Sequence, residues 1–450
     1  MNRNVALTRD APSAYAESRP TADRIDRGER RPSSRDTTTL RQRTAGTGAL
    51  ATSVDPARQP LIVHCHLRWD FVWQRPQQLF SRLAAHHPVL FVEDPVHEDD
   101  AAPTLRVTEP HAPLVRVVPV LPDAHPRDTD SQCATVAPLL RAALAMHPRL
   151  AGRFDGAIQW FYSPMTAPAF LGDFGTVGAV YDCMDELANF RFAPPDIGAR
   201  ERHLMRHARL VFAGGPQIHA AKSRLHDNVH CFGCGVDVAH YARARDAATG
   251  VPPEVAALPG PVFGYFGVID ERIDYELLER LALAFPEGSI AMVGPFAKVD
   301  PEALPKVPNL HWLGQRRYED LPALVKGFDV CLMPFALNEA TRSINPTKTL
   351  EYMAAGKPIV STAVPDVLRQ FVPIVEVAND HDAFVDAVSR AWRTPCAELI
   401  ERGIERAQRA TWEAIVASMR GHVLDAFRPV RPPWPFPPRA AAGVLTRDQE

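Results

Sequence analysis

Short apolar runs alternate with helical stretches through most of the chain, in two successive blocks. The runs of the first block, between residues 61 and 215, are LIVHCH, VLFVED, GAIQWFYS, GAVYD and RLVFAGG. Those of the second, between residues 261 and 362, are PVFGYFGVI, SIAMVGP, LHWLGQ, DVCLMPF and PIVST. Strands separated by helices predict parallel sheets with right-handed crossovers. The predicted fold is therefore α/β, with two Rossmann-like domains facing each other across a cleft and ligands bound beyond the carboxyl ends of the strands.

The composition around these blocks sets the expected domain boundaries. The first residues are rich in Arg, Asp, Ser, Thr and Ala, and the last are rich in Pro, so both ends are predicted to be disordered. The expected divisions are a disordered arm (1–56), a first α/β acceptor domain (57–241), a linker (242–259), a second α/β donor domain (260–395), a helix returning to the first domain (396–428) and a disordered tail (429–450).

Charge and cysteine usage exclude several classes of protein. The 450 residues carry a formal net charge of −3, without the basic excess of a nucleic-acid binder. No apolar run approaches the roughly 18–20 residues that span a bilayer, and we expect no secretion signal. Seven scattered cysteines are typical of a reduced, cytoplasmic protein. Cys231 and Cys234 form a single CxxC, which we interpret as ordinary buried thiols, and no metal site is predicted.

The stretch SINPTKTLEYMAAGKPIV predicts a helix with both ends marked. Asn345 is a good N-cap, Pro346 suits the first helical position, and Gly356 is the expected stop. Lys348 is anomalous, because a cation in the first turn opposes the helix dipole by roughly 0.3–1 kcal/mol unless an anion is bound there. Glu351 lies on the same face and could accept hydrogen bonds from sugar hydroxyls. The pattern favours a nucleotide diphosphate site, with a solvated Lys–Glu pair as the alternative.

From about residue 61 to 419 the sequence resembles GT-B glycosyltransferases of the family 4, or group 1, type. TLEYMAAGKPIVST resembles the donor-site helix of that family, HCFGCGVDVAHY the segment that closes its first domain, and GYFGVIDERIDYELL the phosphate-contacting loop that opens its second. RWDFVWQRPQQL and VYDCMDEL are most similar to a bacterial polysaccharide, teichuronic-acid-type subgroup. The resemblance implies that Arg272 and Lys348 contact the donor diphosphate and that Glu351 holds the ribose. The further donor-binding residues that it implies are Gly267, Asn345 and Thr347.

The sequence departs from the pattern of this family in three places. The first of the two usual glutamates, seven residues before Glu351, is replaced by Ser343, for which Glu339 is a candidate substitute. The usual basic residue after the strand glycine is Val268, so other arginines must supply that charge. The usual Gly-rich loop after the first strand is replaced by bulkier residues, which are Trp69, Asp70, Trp73 and Arg75.

The expected chemistry needs cations at the leaving phosphate. Positive charge develops on the anomeric carbon and negative charge on the phosphate, and we expect Arg272, Lys348 and helix amides to stabilise this separation without a metal. If configuration is retained, as the resemblance implies, the phosphate can take the acceptor's proton, whereas inversion would need a base. Asp182, at the end of a strand, is the first candidate for this base and Asp185 the second, with structural hydrogen bonding or helix capping as the alternatives.

Four further residues are expected to line the cleft. Trp73 and Arg75 follow the first strand, where an acceptor sugar could stack, although core packing is the commoner role of a tryptophan. Gly214 and Gly215 would permit close approach of the backbone to a ligand, and a tight turn would explain them equally.

The predicted function is transfer of a sugar from a nucleotide diphosphate sugar to a glycan or lipid-linked acceptor in cell-surface or exopolysaccharide synthesis, with retention and without metal or cofactor. A non-catalytic sugar-nucleotide binder, or an epimerase or phosphorylase of the same fold, is the alternative. The expected location is the cytoplasm, with weak peripheral contact at the inner membrane face through the arginines of residues 1–56. No nucleic-acid partner is expected. Neither sheet opens with GxGxxG, which disfavours a NAD-dependent dehydrogenase.

Overall fold

The computed structural model describes residues 56–99, 102–342, 344 and 347–428, and its first domain is built on a largely parallel sheet. Within these residues, nine strands join in the order β3-β5-β2-β1-β6-β7-β8-β9, with β4 antiparallel to β5 and every other pairing parallel. The strands are β1 (Leu61–Cys65), β2 (Val89–Glu93), β3 (Val96–Glu98), β4 (Thr104–His111), β5 (Leu114–Pro122), β6 (Ile158–Phe161), β7 (Gly178–Cys183), β8 (Ala208–Ala213) and β9 (Val229–Cys231).

Helices cover both faces of this sheet, which explains why its strands are continuous apolar runs. Along β1, Val63 packs in the same core as Phe80, whereas Ile62 packs on the other face with Leu140. Both sides of such a strand are buried, so no polar alternation is needed. The helices of this domain are α1 (Arg75–Leu83), α2 (Thr129–Met146), α3 (Ala167–Phe170), α4 (Ile197–His207) and α5 (Pro216–Lys222).

The second domain contains a parallel sheet with the strand order β12-β11-β10-β13-β14-β15. These strands are β10 (Val262–Phe266), β11 (Ser289–Val293), β12 (Leu310–Gly314), β13 (Val330–Met333), β14 (Ile359–Thr362) and β15 (Glu376–Ala378). The helices from the connection onward are α6 (Val238–Ala242), α7 (Pro253–Ala256), α8 (Tyr275–Ala284), α9 (Leu321–Lys326), α10 (Glu339–Arg342), α11 (Lys348–Ala354), α12 (Pro365–Gln370) and α13 (His381–Arg393).

The segment after α13 forms two helices where the sequence suggested one. They are α14 (Ala397–Gln408) and α15 (Trp412–Ala426). Ala407 of α14 belongs to the core of the second domain, whereas Trp412 and Met419 of α15 belong to a core of the first. The chain therefore crosses back between the domains at residues 409–411.

The predicted α/β class with two facing parallel sheets is confirmed. Side chains join the two domains beside the carboxyl ends of their strands: Gln78 Nε2 donates to the Tyr318 hydroxyl at 3.0 Å, and the Arg191 amide donates to Glu271 at 3.1 Å. These contacts enclose a cleft at the sheet edge where ligands of such folds bind. No helix in the described ranges is long and apolar enough to span a membrane.

Candidate active site

A cleft of about 500 Å³ lies between the domains. The first domain contributes the segment Trp69–Trp73, which replaces the Gly-rich loop expected there. The second domain contributes the loops after β10, β11 and β12, together with Lys348. The cleft therefore combines aromatic walls with a cation at its floor.

Lys348 and Glu351 form an ion pair at this floor. Lys348 Nζ lies 2.9 Å from Glu351 Oε2 and 4.7 Å from the centre of the Phe266 ring. Only 15% of the lysine side chain and 8% of the glutamate side chain are exposed, so the pair is not the solvated surface pair considered above. A pair held at such a depth can exchange partners with a ligand that brings both an anion and hydroxyl groups.

The start of α11 differs from the prediction. Helix α11 begins at Lys348, and Thr347 occupies the N-cap position without a side-chain cap bond. The predicted N-cap Asn345 and the predicted donor contact Ser343 lie outside the described residues. At the other end, Gly356 adopts φ +70°, the left-handed conformation expected of the stop.

Gly267 lies on the cleft wall because two loops approach closely there. Its φ is +153°, and its N–H donates to the Val293 carbonyl at 2.9 Å. A Cβ on Gly294 would overlap the Gly267 carbonyl oxygen, and a Cβ on Gly267 would lie 3.3 Å from Lys348 Cε. Only glycines allow the loops after β10 and β11 to meet beside the lysine.

Arg272 lies at the domain interface. Its guanidinium pairs with Asp270 at 2.7 Å and lies 5.9 Å from the ring centre of Phe190, which belongs to the first domain. Burial opposes its charge, but Asp270 outweighs burial and raises the pKa of Arg272. Its position after β10 keeps it a candidate for a phosphate contact, although it is not among the residues that line the cleft beside Lys348.

Arg75 and Asp182 form a buried pair within the first domain. Their side chains are 2% and 0% exposed, and their nearest charged atoms lie 2.9 Å apart. Arg75 also donates to the Phe232 carbonyl at 2.8 Å. Neither side chain reaches the cleft in this structure, so the geometry gives no support to Arg75 as a donor or acceptor contact or to Asp182 as a base.

Asp185, in the loop that follows β7, has a carboxylate without a partner in the described part of the chain. It is half-buried, and burial raises its pKa, while Arg272 and Arg75 partly offset that increase. Among the described residues, none forms a hydrogen bond or ion pair with its carboxylate. Of the two aspartates suggested by sequence, Asp185 is the one whose carboxylate remains available for hydrogen bonding.

Three other residues expected at the site, which are Glu339, Gly214 and Gly215, have surroundings that do not involve the cleft. Glu339 pairs with Arg342 at 3.0 Å, and both side chains are 66% exposed, so this is a surface pair within α10. A Cβ on Gly214 would overlap the Met184 carbonyl, which shows that Gly214 accommodates the chain itself. Gly215 has an extended backbone and precedes α5.

An aromatic stack closes the cleft beside Trp73. The Trp73 and Tyr318 rings lie 5.7 Å apart, and the Tyr318 and His240 rings lie 4.1 Å apart with an interplanar angle of 6°. Sequence reasoning singled out Trp73 and missed Tyr318 and His240. The signal available was a lone tyrosine in the polar stretch QRRYED after β12.

His66 is a third residue that the sequence analysis did not single out. It directly follows β1, and its Nδ1 is buried without a hydrogen-bond partner. Burial, with a smaller contribution from Lys298 of the second domain, lowers the pKa of His66 to about 4. The ring is therefore neutral at physiological pH.

The described residues offer no cluster of three or more His, Cys, Asp or Glu side chains that could hold a metal ion.

Known proteins with similar sequences and folds are glycosyltransferases and sugar-phosphate synthases. Residues 261–394 match the model of the family Glycosyl transferases group 1. The "Putative teichuronic acid biosynthesis glycosyltransferase TuaH" of Bacillus subtilis (strain 168) is 25% identical over 223 residues, 45% of this chain and 55% of that protein. The chain therefore spans about half the length of this curated relative.

Solved structures share the two-domain architecture. Sucrose-phosphate synthase from Thermosynechococcus elongatus superposes with a TM-score of 0.59 at 18% identity, over 80% of this chain and 97% of that chain. A UDP-forming α,α-trehalose-phosphate synthase from Burkholderia xenovorans, in complex with glucose-6-phosphate, gives 0.59 at 13% identity, over 81% and 100%. At these identities the likeness shows the fold, which is GT-B. Residues 261–394 thus match the family Glycosyl transferases group 1, and the chain has the GT-B fold.

Proposed function

We propose that this protein transfers a sugar from a nucleoside diphosphate sugar to a glycan or lipid-linked acceptor in the synthesis of a surface polysaccharide. The observation that carries the proposal is the Lys348–Glu351 pair, held on a cleft floor below the Trp73–Tyr318 stack. A ligand with an aromatic base, a ribose and a diphosphate matches an aromatic wall, a carboxylate and a cation in one cleft.

In the proposed reaction, Lys348 neutralises the charge that develops on the leaving phosphate as its bond to the anomeric carbon breaks. Arg272 adds a second cation if the domains close on the donor. Glu351 accepts hydrogen bonds from the ribose hydroxyls that replace its contact with the lysine. Cations already in place stabilise this charge without reorganisation, and closure of the cleft excludes water.

We propose retention of configuration without a metal. In that scheme the new bond forms between the acceptor oxygen and the anomeric carbon, and the departing phosphate takes the acceptor's proton. The curated relative is named for teichuronic acid biosynthesis, which supports a surface polysaccharide as the product. Such an acceptor would place the protein at the inner membrane face, held there weakly by the arginines of residues 1–56.

A thermal-shift screen of UDP-, GDP- and ADP-sugars tests the donor class, since a ligand stabilises by RT ln(1 + [L]/Kd). We expect one nucleotide series to raise the melting temperature and the bound sugar nucleotide to be hydrolysed slowly without acceptor. Binding without hydrolysis or transfer would favour a non-catalytic sugar-nucleotide binder. A requirement for pyridoxal phosphate would favour a phosphorylase, and no shift with any sugar nucleotide would refute the proposal.

A further inference from the structure

The loop that follows β7 is held at three points, and Asp185 lies between them. Asp182 is paired with Arg75, as described above. Glu186 lies 2.8 Å from Lys222, a buried lysine that also contacts Glu201 at 2.7 Å. These anchors fix the backbone on both sides of Asp185.

Gly214 provides the third anchor. Its N–H donates to the Cys183 carbonyl at 2.9 Å, and its missing side chain leaves room for the Met184 carbonyl. The loop is therefore pressed against the end of β8. A side chain presented from so rigid a loop has a defined direction, which is what a binding group requires.

The Asp185 carboxylate lacks the partners that its neighbours have. Arg272 and Arg75 are the two arginines whose charges partly offset the rise that burial causes in the pKa of Asp185. Each of them is already paired with another aspartate: Arg272 with Asp270, and Arg75 with Asp182. Leaving a half-buried charge without hydrogen bonds costs free energy, which a ligand that supplies donors would recover.

His66 lies at the same edge of the sheet. Strands β1, β6 and β7 are consecutive and parallel, so the ends of β1 and β7 are two strand spacings, or roughly 10 Å, apart. In the second domain, Arg272 follows β10 and Lys298 follows the neighbouring β11. Beside the larger effect of burial, the charge of Arg272 acts to lower the pKa of Asp185, and the charge of Lys298 acts to lower the pKa of His66. The two first-domain side chains therefore lie at the edge of their sheet that faces the second domain.

We propose that Asp185 and His66 bracket an acceptor subsite for one sugar residue with free hydroxyl groups. Asp185 accepts a hydrogen bond from a hydroxyl beside the one that attacks the donor, since the proton of the attacking hydroxyl goes to the departing phosphate. The neutral His66 ring binds a further hydroxyl of the same sugar. Hydroxyls suit this pair because they both donate and accept. The cations on the opposite wall disfavour a positively charged acceptor. The inference rests on the proposed function and adds to it the residues that recognise the acceptor.

The test compares Asp185→Asn and His66→Asn with the wild-type protein. Asp196→Asn is the matched control, because Asp196 is an exposed carboxylate paired with Arg200 at the start of α4. Donor affinity is measured by calorimetry with the sugar nucleotide that gives the largest thermal shift. Turnover is measured as hydrolysis by water and as transfer to methyl glucoside and methyl mannoside.

For Asp185→Asn we expect the kcat/KM for transfer to fall about 100-fold, with hydrolysis by water and donor affinity changed less than threefold. For His66→Asn we expect the KM for the methyl glycoside to rise about tenfold with little change in kcat. Unchanged transfer in Asp185→Asn, or an equal loss of transfer in Asp196→Asn, would overturn the subsite. A wild-type protein that binds no sugar nucleotide would instead overturn the proposed function. One that binds the donor but neither hydrolyses nor transfers it would overturn the catalytic interpretation of the cleft and, with it, this subsite.

Discussion

Replacing Lys348 with methionine removes the cation of the cleft while keeping most of the length of the side chain. In the unliganded protein the change leaves Glu351, 8% exposed, without its partner at 2.9 Å. Breaking a fully buried pair costs about 3–5 kcal/mol, and loss of an unfavourable cation at a helix start returns roughly 0.3–1 kcal/mol. Because Lys348 is partly exposed, we expect the free energy of unfolding to fall by about 2 kcal/mol.

Donor binding should weaken further in this variant. A hydrogen bond to a charged group contributes about 1.5–3 kcal/mol, so we expect the Kd for the donor to rise roughly 10- to 150-fold. Calorimetric titration gives this Kd, and urea unfolding gives the stability.

Lys306→Met is the matched control, because Lys306 pairs with Glu302 at 3.0 Å but the two side chains are 72% and 85% exposed. An exposed pair contributes less than about 1 kcal/mol, so this variant should match the wild-type protein in both assays. Adding Glu351→Gln to Lys348→Met should recover part of the lost stability by removing the unpaired charge. If Lys348→Met binds donor as tightly as Lys306→Met, the lysine does not contact the diphosphate.

Three further outcomes are expected. Arg75→Met should lower the free energy of unfolding by about 3–5 kcal/mol because it leaves Asp182 charged and fully buried; a loss below about 1 kcal/mol in urea unfolding would contradict the buried pair. Burial lowers the pKa of His64 from 6.5 to about 3. Below pH 6.5 the unfolded chain therefore binds a proton that the folded chain does not bind, and the free energy of unfolding decreases as the pH is lowered. From pH 7 to 5 the wild-type protein should therefore lose about 2 kcal/mol more than His64→Phe, and equal losses would refute this account. Transfer should survive complete chelation of divalent ions, and loss of activity that Mg²⁺ or Mn²⁺ restores would reveal a metal site.

The local sequence was enough to identify the architecture. Apolar runs such as those of β1 and β10 mark buried parallel strands because both faces of each strand are covered, a condition visible in five consecutive residues. The contact between Lys348 and Glu351 was equally predictable, since residues three apart meet on any helix. Both inferences depend only on geometry within one element.

The tertiary structure decided which polar groups remain available to a ligand. Asp182, near the end of β7, and Asp185, in the loop that follows, are three residues apart, and nothing in the local sequence separates their roles. Arg75, 107 positions away in the chain, engages Asp182 and leaves Asp185 open. Likewise, Trp73 meets Tyr318 only because the two domains face each other. Burial and pairing depend on residues distant in sequence, so the choice between a structural and a functional carboxylate is made by the folded chain.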